Sequence, residues 1–149
     1  MPEEANWHIA DLFCHWVGGQ LPTAAEWKKA ARGTDGRLYP WGDEWDPTRG
    51  NFMEEEDAPP LPAGAWGRKT PVDAYPTGVS PYGVYDMVGN LREWTRSLGP
   101  FVKREGIIVK AMSVKHARYP YWLCHMVTQE KVWGDWSAEY IGFRPVKDK

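Results

Sequence analysis

Apolar positions along this chain make two helical patterns at the start, no pattern through the middle and short runs near the end. In "NWHIADLFCHWV", Asn6 to Val17, the residues Ile9, Leu12, Phe13 and Trp16 recur at i, i+3, i+4 and i+7. That spacing is one stripe on an α-helix. Gly18 and Gly19 end the pattern, and Cys14 inside it reads as a structural residue. A second helix is predicted over residues 23–32, in "LPTAAEWKKAARG". Thr23 as N-cap with Glu26 three residues later makes a capping box, in which each side chain covers a backbone N–H that the first turn leaves unpaired. Leu21 and Trp27 have the spacing of a hydrophobic staple. Lys28, Lys29 and Arg32 lie toward the end where the helix dipole favours cations, and Gly33 supplies the stop.

From Gly33 to Tyr85 no periodicity survives. "YPWGDEW", "EEEDAPPLPAG" and "DAYPTGVSPYG" are loop chemistry, rich in Pro, Gly and acids. The embedded Tyr39, Trp41, Trp45, Trp66, Tyr75 and Tyr82 argue for packed loops over a linker. Short strands are predicted at 106–112, "GIIVKAM", and 141–146, "IGFRPV", with "REWTRS" a further short strand after the loops. The length of 149 residues favours one domain over residues 1–149 and suffices for a core without disulfide staples.

Composition sharpens this picture. Ten Trp, 13 Pro and 15 Gly describe a fold with much irregular structure held by large rings. Cys14 and Cys124 are the two cysteines, with no CxxC or Cys/His metal spacing, so no disulfide framework is implied. No apolar run reaches membrane-spanning length, and "MPEEANWH" is acidic, unlike a signal peptide. A soluble protein without an export signal is the expectation, cytoplasmic or associated with a virus or phage. The net charge of −2 gives no general case for nucleic acid. Residues 1–95 carry 8 Lys/Arg against 15 Asp/Glu, whereas residues 96–149 carry 10 against 5. Two solvated faces would explain that, and so would a basic, aromatic binding surface in the C-terminal part.

"SVKHARYPYWLCHM", Ser113 to Met126, concentrates this second option. Lys115, His116, Arg118 and His125 are interleaved with Tyr119, Tyr121 and Trp122, and the continuation adds Trp133, Trp136 and Tyr140. The stretch is too polar for a core strand and too aromatic for an ordinary loop. No GxSxG, P-loop or GxGxxG occurs, and "GVYDMVGN" is not a phosphate loop because no Lys-Ser/Thr follows it. The acids Glu54 to Asp57 read as a solvated run.

Taken in order, "LPTAAEWKKAARG", "YPWGDEW", "TPVDAYPTGVSPYGVYDMVGNLREWT" and "IGFRPV" resemble the formylglycine-generating enzyme (sulfatase-modifying factor) family. The resemblance covers residues 6–97 and 141–146 and is weak between them. It implies an α+β fold, the C-type-lectin-like fold of the formylglycine-generating-enzyme type, with two helices, short antiparallel strands and long ordered loops. The family's enzymes carry a strand-rich segment before the first helix, so this domain is expected to be N-terminally short. The family's catalytic segment resembles "RGGSYLCHxSYCNRYR", whose two cysteines bind copper, a soft ion that prefers thiolate. Anchored on "IGFR", those cysteine positions fall on His116 and Tyr121, and Arg-Gly-Gly becomes Lys110, Ala111 and Met112. Cys124 lies three residues past the second position, and one thiol cannot make a two-sulfur site. Neither copper nor iron is expected. Iron-dependent relatives use a His triad from a separate domain, and only His8, His15, His116 and His125 are present here.

In the resembled family the "YxxxGNxxEW" turn holds a structural Ca²⁺. Carried over residue by residue, the ligands would be the Asp86 and Glu93 carboxylates and the Gly89 and Leu91 carbonyls, a hard oxygen set suited to calcium. The alternative is a turn in which Glu93 caps backbone amides and Trp94 packs in the core. A second family site lies near Asn51 and Phe52, but its acid falls in a region of different loop length, and no ligand set is assigned there.

Frame motifs retained beside a rewritten segment describe a binding protein, because a fixed scaffold with a changeable surface separates stability from specificity. Tyr and Trp give large contact area at small entropic cost. The arrangement is similar to the variable proteins of diversity-generating retroelements, which place their mutated positions just before the closing strand. The ligand-binding residues would then be Lys115, His116, Arg118, Tyr119, Tyr121, Trp122, His125, Trp133, Trp136 and Tyr140, with an unknown protein or surface ligand as partner. An ordinary non-catalytic member, a degenerate enzyme and an oxidase with unrecognised metal ligands are the alternatives.

Overall fold

The computed structural model describes residues 6–52, 69–99, 106–110, 129–132 and 141–147. The chain divides into two compact units. The first comprises Met1–Trp27, Arg92–Lys110 and Gln129–Lys149, and the second Lys28–Leu91 and Ala111–Thr128.

In the first unit, helix α1 spans Trp7–Trp16. The Asn6 side chain caps it by accepting the Ile9 N–H at 3.0 Å. Beyond its end the chain turns at Gly18, φ +74°, and the Gly19 N–H returns to the Cys14 carbonyl at 2.8 Å. The buried face is not the large apolar stripe. Ala10 and Cys14 are buried, whereas Ile9, Leu12, Phe13 and Trp16 are 45%, 70%, 39% and 81% exposed. Small side chains at i and i+4 let a helix approach its neighbours closely, and here they join Leu21, Trp94 and Ile141 in one core cluster. Trp7 and Phe143 pack against that cluster. The Trp7 indole N–H donates to the Thr95 carbonyl at 2.9 Å, which fixes the helix start to a strand.

Helix α2 spans Ala24–Arg32 and carries the predicted capping box. The Thr23 N–H donates to Glu26 at 2.6 Å, and the Glu26 N–H donates to the Thr23 hydroxyl oxygen at 3.1 Å. The Ala24 N–H, another first-turn donor, reaches the Ser97 hydroxyl oxygen at 2.9 Å. Leu21 and Trp27 are both buried.

Among the described residues four strands form one sheet: β1 Arg92–Gly99, β2 Gly106–Lys110, β3 Gln129–Val132 and β4 Ile141–Gly142, in the order β3-β2-β1-β4. β1 pairs antiparallel with β2 and parallel with β4, and β2 pairs antiparallel with β3. The register of β1 and β2 shifts between Trp94 and Leu98, where β1 takes up extra residues. The run 106–112 supplies β2, and "REWTRS" lengthens into β1. Of 141–146, only Ile141–Gly142 is strand; Val146 instead makes an antiparallel bridge with Gln20 through bonds of 2.9 and 2.8 Å. β3 had no sequence signal, since three of its four residues are Gln, Glu and Lys.

The described residues of the second unit are mostly loop, as expected of 33–52 and 69–85; residues 53–68 of the expected loop lie outside the described residues. Among the described residues its regular structure beyond the C-terminal part of α2 is a 3-10 turn, Pro47–Arg49. Rings hold the loops together. Buried Tyr39 stacks on Trp41 at 5.4 Å and 8°, and Trp45 lies 5.4 Å from Tyr39 and 4.7 Å from Phe52. Gly33, at φ +67°, stops α2, and its N–H bonds the Lys29 carbonyl at 2.8 Å. Arg32 donates to the Gly36 and Arg37 carbonyls. No helix among the described residues is long and apolar enough to cross a membrane.

Candidate functional site

The expected ligand-binding residues Lys115, His116, Arg118, Tyr119, Tyr121, Trp122, His125, Trp133, Trp136 and Tyr140 lie outside the described residues. The strands that flank them in sequence are described. Lys110, the last residue of β2, pairs with Gln129, the first of β3. These two residues are therefore neighbours across the sheet, about 5 Å apart. Glu93 pairs with Lys110 on one side and with Gly142 on the other. The chain thus leaves β2, enters β3 and enters β4 at the same end of the sheet as Glu93. Tyr140 immediately precedes that entry into β4.

Glu93 is the buried charge at that end, 7% exposed. Its Oε2 accepts the Trp27 indole N–H at 2.6 Å and the Arg144 Nε–H at 2.6 Å. Its Oε1 accepts from the Arg144 Nη2. The pair is bidentate, the geometry in which Arg fits a carboxylate best. Sequence reasoning placed Glu93 and Trp27 in separate roles and gave Arg144 none. The signal was present, because "GNLREW" supplies the acid and "IGFRP" the matching base.

The second unit holds the other expected calcium residues, Asp86, Gly89 and Leu91. Asp86, Gly89 and Asn90 all have positive φ, at 54°, 84° and 57°. Asp and Asn are the non-glycine residues that tolerate this region best. Gly89 also has no room for a side chain, since a Cβ there would sit 2.7 Å from the Asn51 carbonyl oxygen. Buried Asn90 ties the turn down with its whole hydrogen-bonding capacity. Its amide donates to Asp86 Oδ2 at 2.9 Å and to the Thr70 carbonyl at 3.1 Å. Its oxygen accepts the Thr70 N–H at 3.1 Å and the Asn51 side-chain amide at 3.2 Å. Beside it the Thr70 hydroxyl is buried with no hydrogen-bond partner.

Both Glu93 oxygens accept hydrogen bonds, from Trp27 and Arg144, and the guanidinium balances the carboxylate charge. Asp86 Oδ2 accepts from Asn90. Among the described residues no group of three or more His, Cys, Asp or Glu could hold a metal ion. His8 and His15 are both exposed on α1. Cys14 is buried, and burial, aided by the Asp11 charge, pushes its thiol up to about 11, so it is no thiolate ligand near neutrality.

A family model for the sulfatase-modifying factor enzyme 1-like domain matches residues 3–149. An inactive C-alpha-formylglycine-generating enzyme 2 of Bos taurus is 40% identical over 98 residues, covering 62% of this chain and 31% of that protein. A formylglycine-generating enzyme of Mus musculus is 38% identical over 163 aligned residues, covering 96% of this chain and 43% of that protein. The chain thus spans less than half the length of either relative. Among solved structures, CarF superposes with a TM-score of 0.70 at 19% identity, over 97% of this chain and 67% of CarF. Treponema denticola variable protein 1 superposes with a TM-score of 0.57 at 19% identity, over 83% of this chain and 45% of that one. At such identities the likeness establishes the fold: α+β, of the C-type-lectin-like, formylglycine-generating-enzyme type.

Proposed function

The chain belongs to the sulfatase-modifying factor enzyme 1-like domain family, and from that premise we propose that it is a non-catalytic ligand-binding protein. The observation that carries this reading is a division between frame and face. The capping box, the Trp27–Glu93–Arg144 cluster and the Asn90 turn are intact, while the family's two copper thiolates are replaced by His116 and Tyr121. The inactive relative in Bos taurus supports a family member without oxidase chemistry.

The finer reading is a diversity-generating retroelement variable protein whose ligand surface is drawn from residues 113–140. The Treponema variable protein of the same fold supports it. So does the sheet register, which anchors both ends of 111–128 on paired residues, Lys110 and Gln129. Two measurements test the two levels. Incubated with Cu(I) and cysteine-containing peptides, the protein is expected to form no aldehyde detectable by mass spectrometry; turnover above a protein-free control would overturn the non-catalytic reading. Sequencing the flanking DNA is expected to find a reverse-transcriptase gene and a near-copy of the 3′ coding region that differs at adenines. Absence of both would remove the retroelement and leave the binding protein.

Calcium belongs to the same proposal in a narrower form. Asp86 would hold the ion with the Gly89 and Leu91 carbonyls, and Glu93 would not take part. An ion that binds only the native state stabilises it by mass action. Chelator should therefore lower the melting temperature of the wild type and of Glu93→Gln, and leave that of Asp86→Ala unchanged. Equal responses from Asp86→Ala and wild type would remove calcium.

A further inference from the structure

In the second unit the loop that follows Tyr39 encloses a cleft of about 440 Å³. Its apolar walls are Trp41 and Trp45, and its rim carries Asp43, Glu44, Asp46 and Arg49. We propose that this cleft binds a methylated or quaternary ammonium group, held between the Trp41 and Trp45 rings and balanced by the acids around it.

The ring geometry comes first. The Trp41 and Trp45 centroids lie 6.3 Å apart with the planes at 45°. A cation in the angle between them can lie within the ~6 Å of both centroids over which an indole face attracts positive charge. Both rings are half-buried, so each keeps accessible surface. They are also held in place. Tyr39 stacks on Trp41, Phe52 lies against Trp45, and the Trp41 indole N–H is fixed on the Glu44 carbonyl at 2.9 Å. A ligand therefore meets walls that need little ordering.

Charge comes second. Three carboxylates face one guanidinium, and that guanidinium is already engaged: Arg49 Nε pairs with Asp46 at 2.8 Å, and Nη1 donates to the Thr77 carbonyl at 2.9 Å. Net negative charge remains at the rim.

The kind of cation follows from the acceptors. Asp43 Oδ1 accepts the Leu38 N–H at 2.8 Å. Asp46 Oδ1 accepts the Thr48 N–H and hydroxyl at 3.0 and 2.6 Å. The Asp46 carboxylate and one Asp43 oxygen are thus committed to the loop itself, and Glu44 adds charge from an exposed position. A primary ammonium has three N–H donors to satisfy and keeps its water. Each methyl group removes one N–H donor, a quaternary ammonium has none left, and the methyl groups gain from apolar walls. The cleft volume also lies within the range of small-molecule sites, ~300–1,000 Å³.

The experiment uses the full chain and two ligands of one shape, choline and its uncharged carbon isostere 3,3-dimethylbutan-1-ol. Indole N–H signals are followed by NMR during titration, with Trp41→Leu identifying the Trp41 signal. Choline is expected to shift the Trp41 and Trp45 signals saturably. The isostere should bind about tenfold more weakly, the size of a well-placed cation–π contribution. Glu44→Gln removes one charge from an exposed side chain and should weaken choline binding about two- to fivefold, with a smaller dependence on salt. No saturable shift with choline would overturn the proposal. Equal binding of choline and the isostere would also overturn it, since the cleft would then be selecting shape alone. The isostere comparison needs no variant, so it stands even if Trp41→Leu unfolds.

Discussion

At the scale of single residues, two side chains tie separate stretches of the chain together, each within its own unit, and neither does so by size. Asn90 spends both donors and both acceptor positions on Asp86, Thr70 and Asn51. Glu93 joins a helix, through Trp27, to the chain that follows β4, through Arg144. Glu93→Gln would remove the charge from the bidentate partner of Arg144. For a fully buried pair that costs about 3–5 kcal/mol. Arg144 is 24% exposed at its side chain, so water offsets part of it. A loss of about 2–3 kcal/mol in urea unfolding is expected, and one under about 0.5 kcal/mol, the level of an ordinary surface change, would make the pair incidental. Glu26 gives a second check. Hydrogen bonds from the Thr23 backbone and hydroxyl, with the Arg96 charge, hold its carboxyl below the usual carboxylate range. A carboxyl whose folded value lies below its unfolded value stabilises above the unfolded value. That contribution is lost as pH falls through the folded one. Thr23→Ala should cost about 1 kcal/mol at neutral pH and should flatten the loss of stability below about pH 4.5. A variant that loses stability with acid as steeply as the wild type would show that the Thr23 hydroxyl does not contribute to the Glu26 titration, which would then rest on the backbone N–H.

At the scale of elements, α1 shows what a periodic pattern can and cannot say. Seven of its ten residues are apolar or aromatic counting Cys14, so more than one apolar face can be drawn along it. The spacing of Ile9, Leu12, Phe13 and Trp16 announces a helix and picks out the largest stripe. The face that packs is the one with the smallest side chains, Ala10 and Cys14, with Trp7 against its edge, and it meets Leu21, Trp94 and Ile141. Leu12→Ser and Trp16→Ser are therefore expected to change stability by no more than about 0.5 kcal/mol. Cys14→Leu should cost about 1–3 kcal/mol through overpacking. Chemical denaturation separates the cases, and the reverse order would restore the large stripe as the core face. α2 was legible in full because its signal is local: Thr23 and Glu26 satisfy donors of their own turn. β3 was not, because Gln129, Glu130 and Lys131 carry no apolar alternation. What makes them a strand is pairing with β2, a partner that local patterning does not reveal. The loops of the second unit were legible as loops, but the Tyr39–Trp41–Trp45–Phe52 contacts depend on how they fold back. The candidate site divides in the same way. The motif residues could be placed on the turn, while the commitment of Glu93 to Arg144 joins positions 51 residues apart.

At the scale of the whole molecule, the proposed function predicts that stability and binding reside in different residues. Trp94 is fully buried in the cluster of Ala10, Cys14, Leu21 and Ile141. Replacing such a ring by a small side chain costs about 3–5 kcal/mol or more, against a total of about 5–15 kcal/mol for a typical domain. Trp94→Ser should therefore leave the chain largely unfolded by circular dichroism. The residues proposed as the binding face should behave in the opposite way. Ser at two or three of Lys115, Arg118, Tyr119, Tyr121, Trp133 and Trp136 should lower stability by no more than about 0.5 kcal/mol for each. The same substitutions should abolish capture of a ligand selected with the wild type, because aromatic and Arg anchors carry most interface energy. Both readouts are needed. Loss of binding with loss of fold is what core rings would give, and retained fold with retained binding would move the face elsewhere. The decisive comparison sets a double variant such as Tyr119→Ser/Tyr121→Ser beside Trp94→Ser at one temperature. If the two unfold alike, the aromatics of 113–140 are packing, and the division between frame and face on which the function rests does not exist.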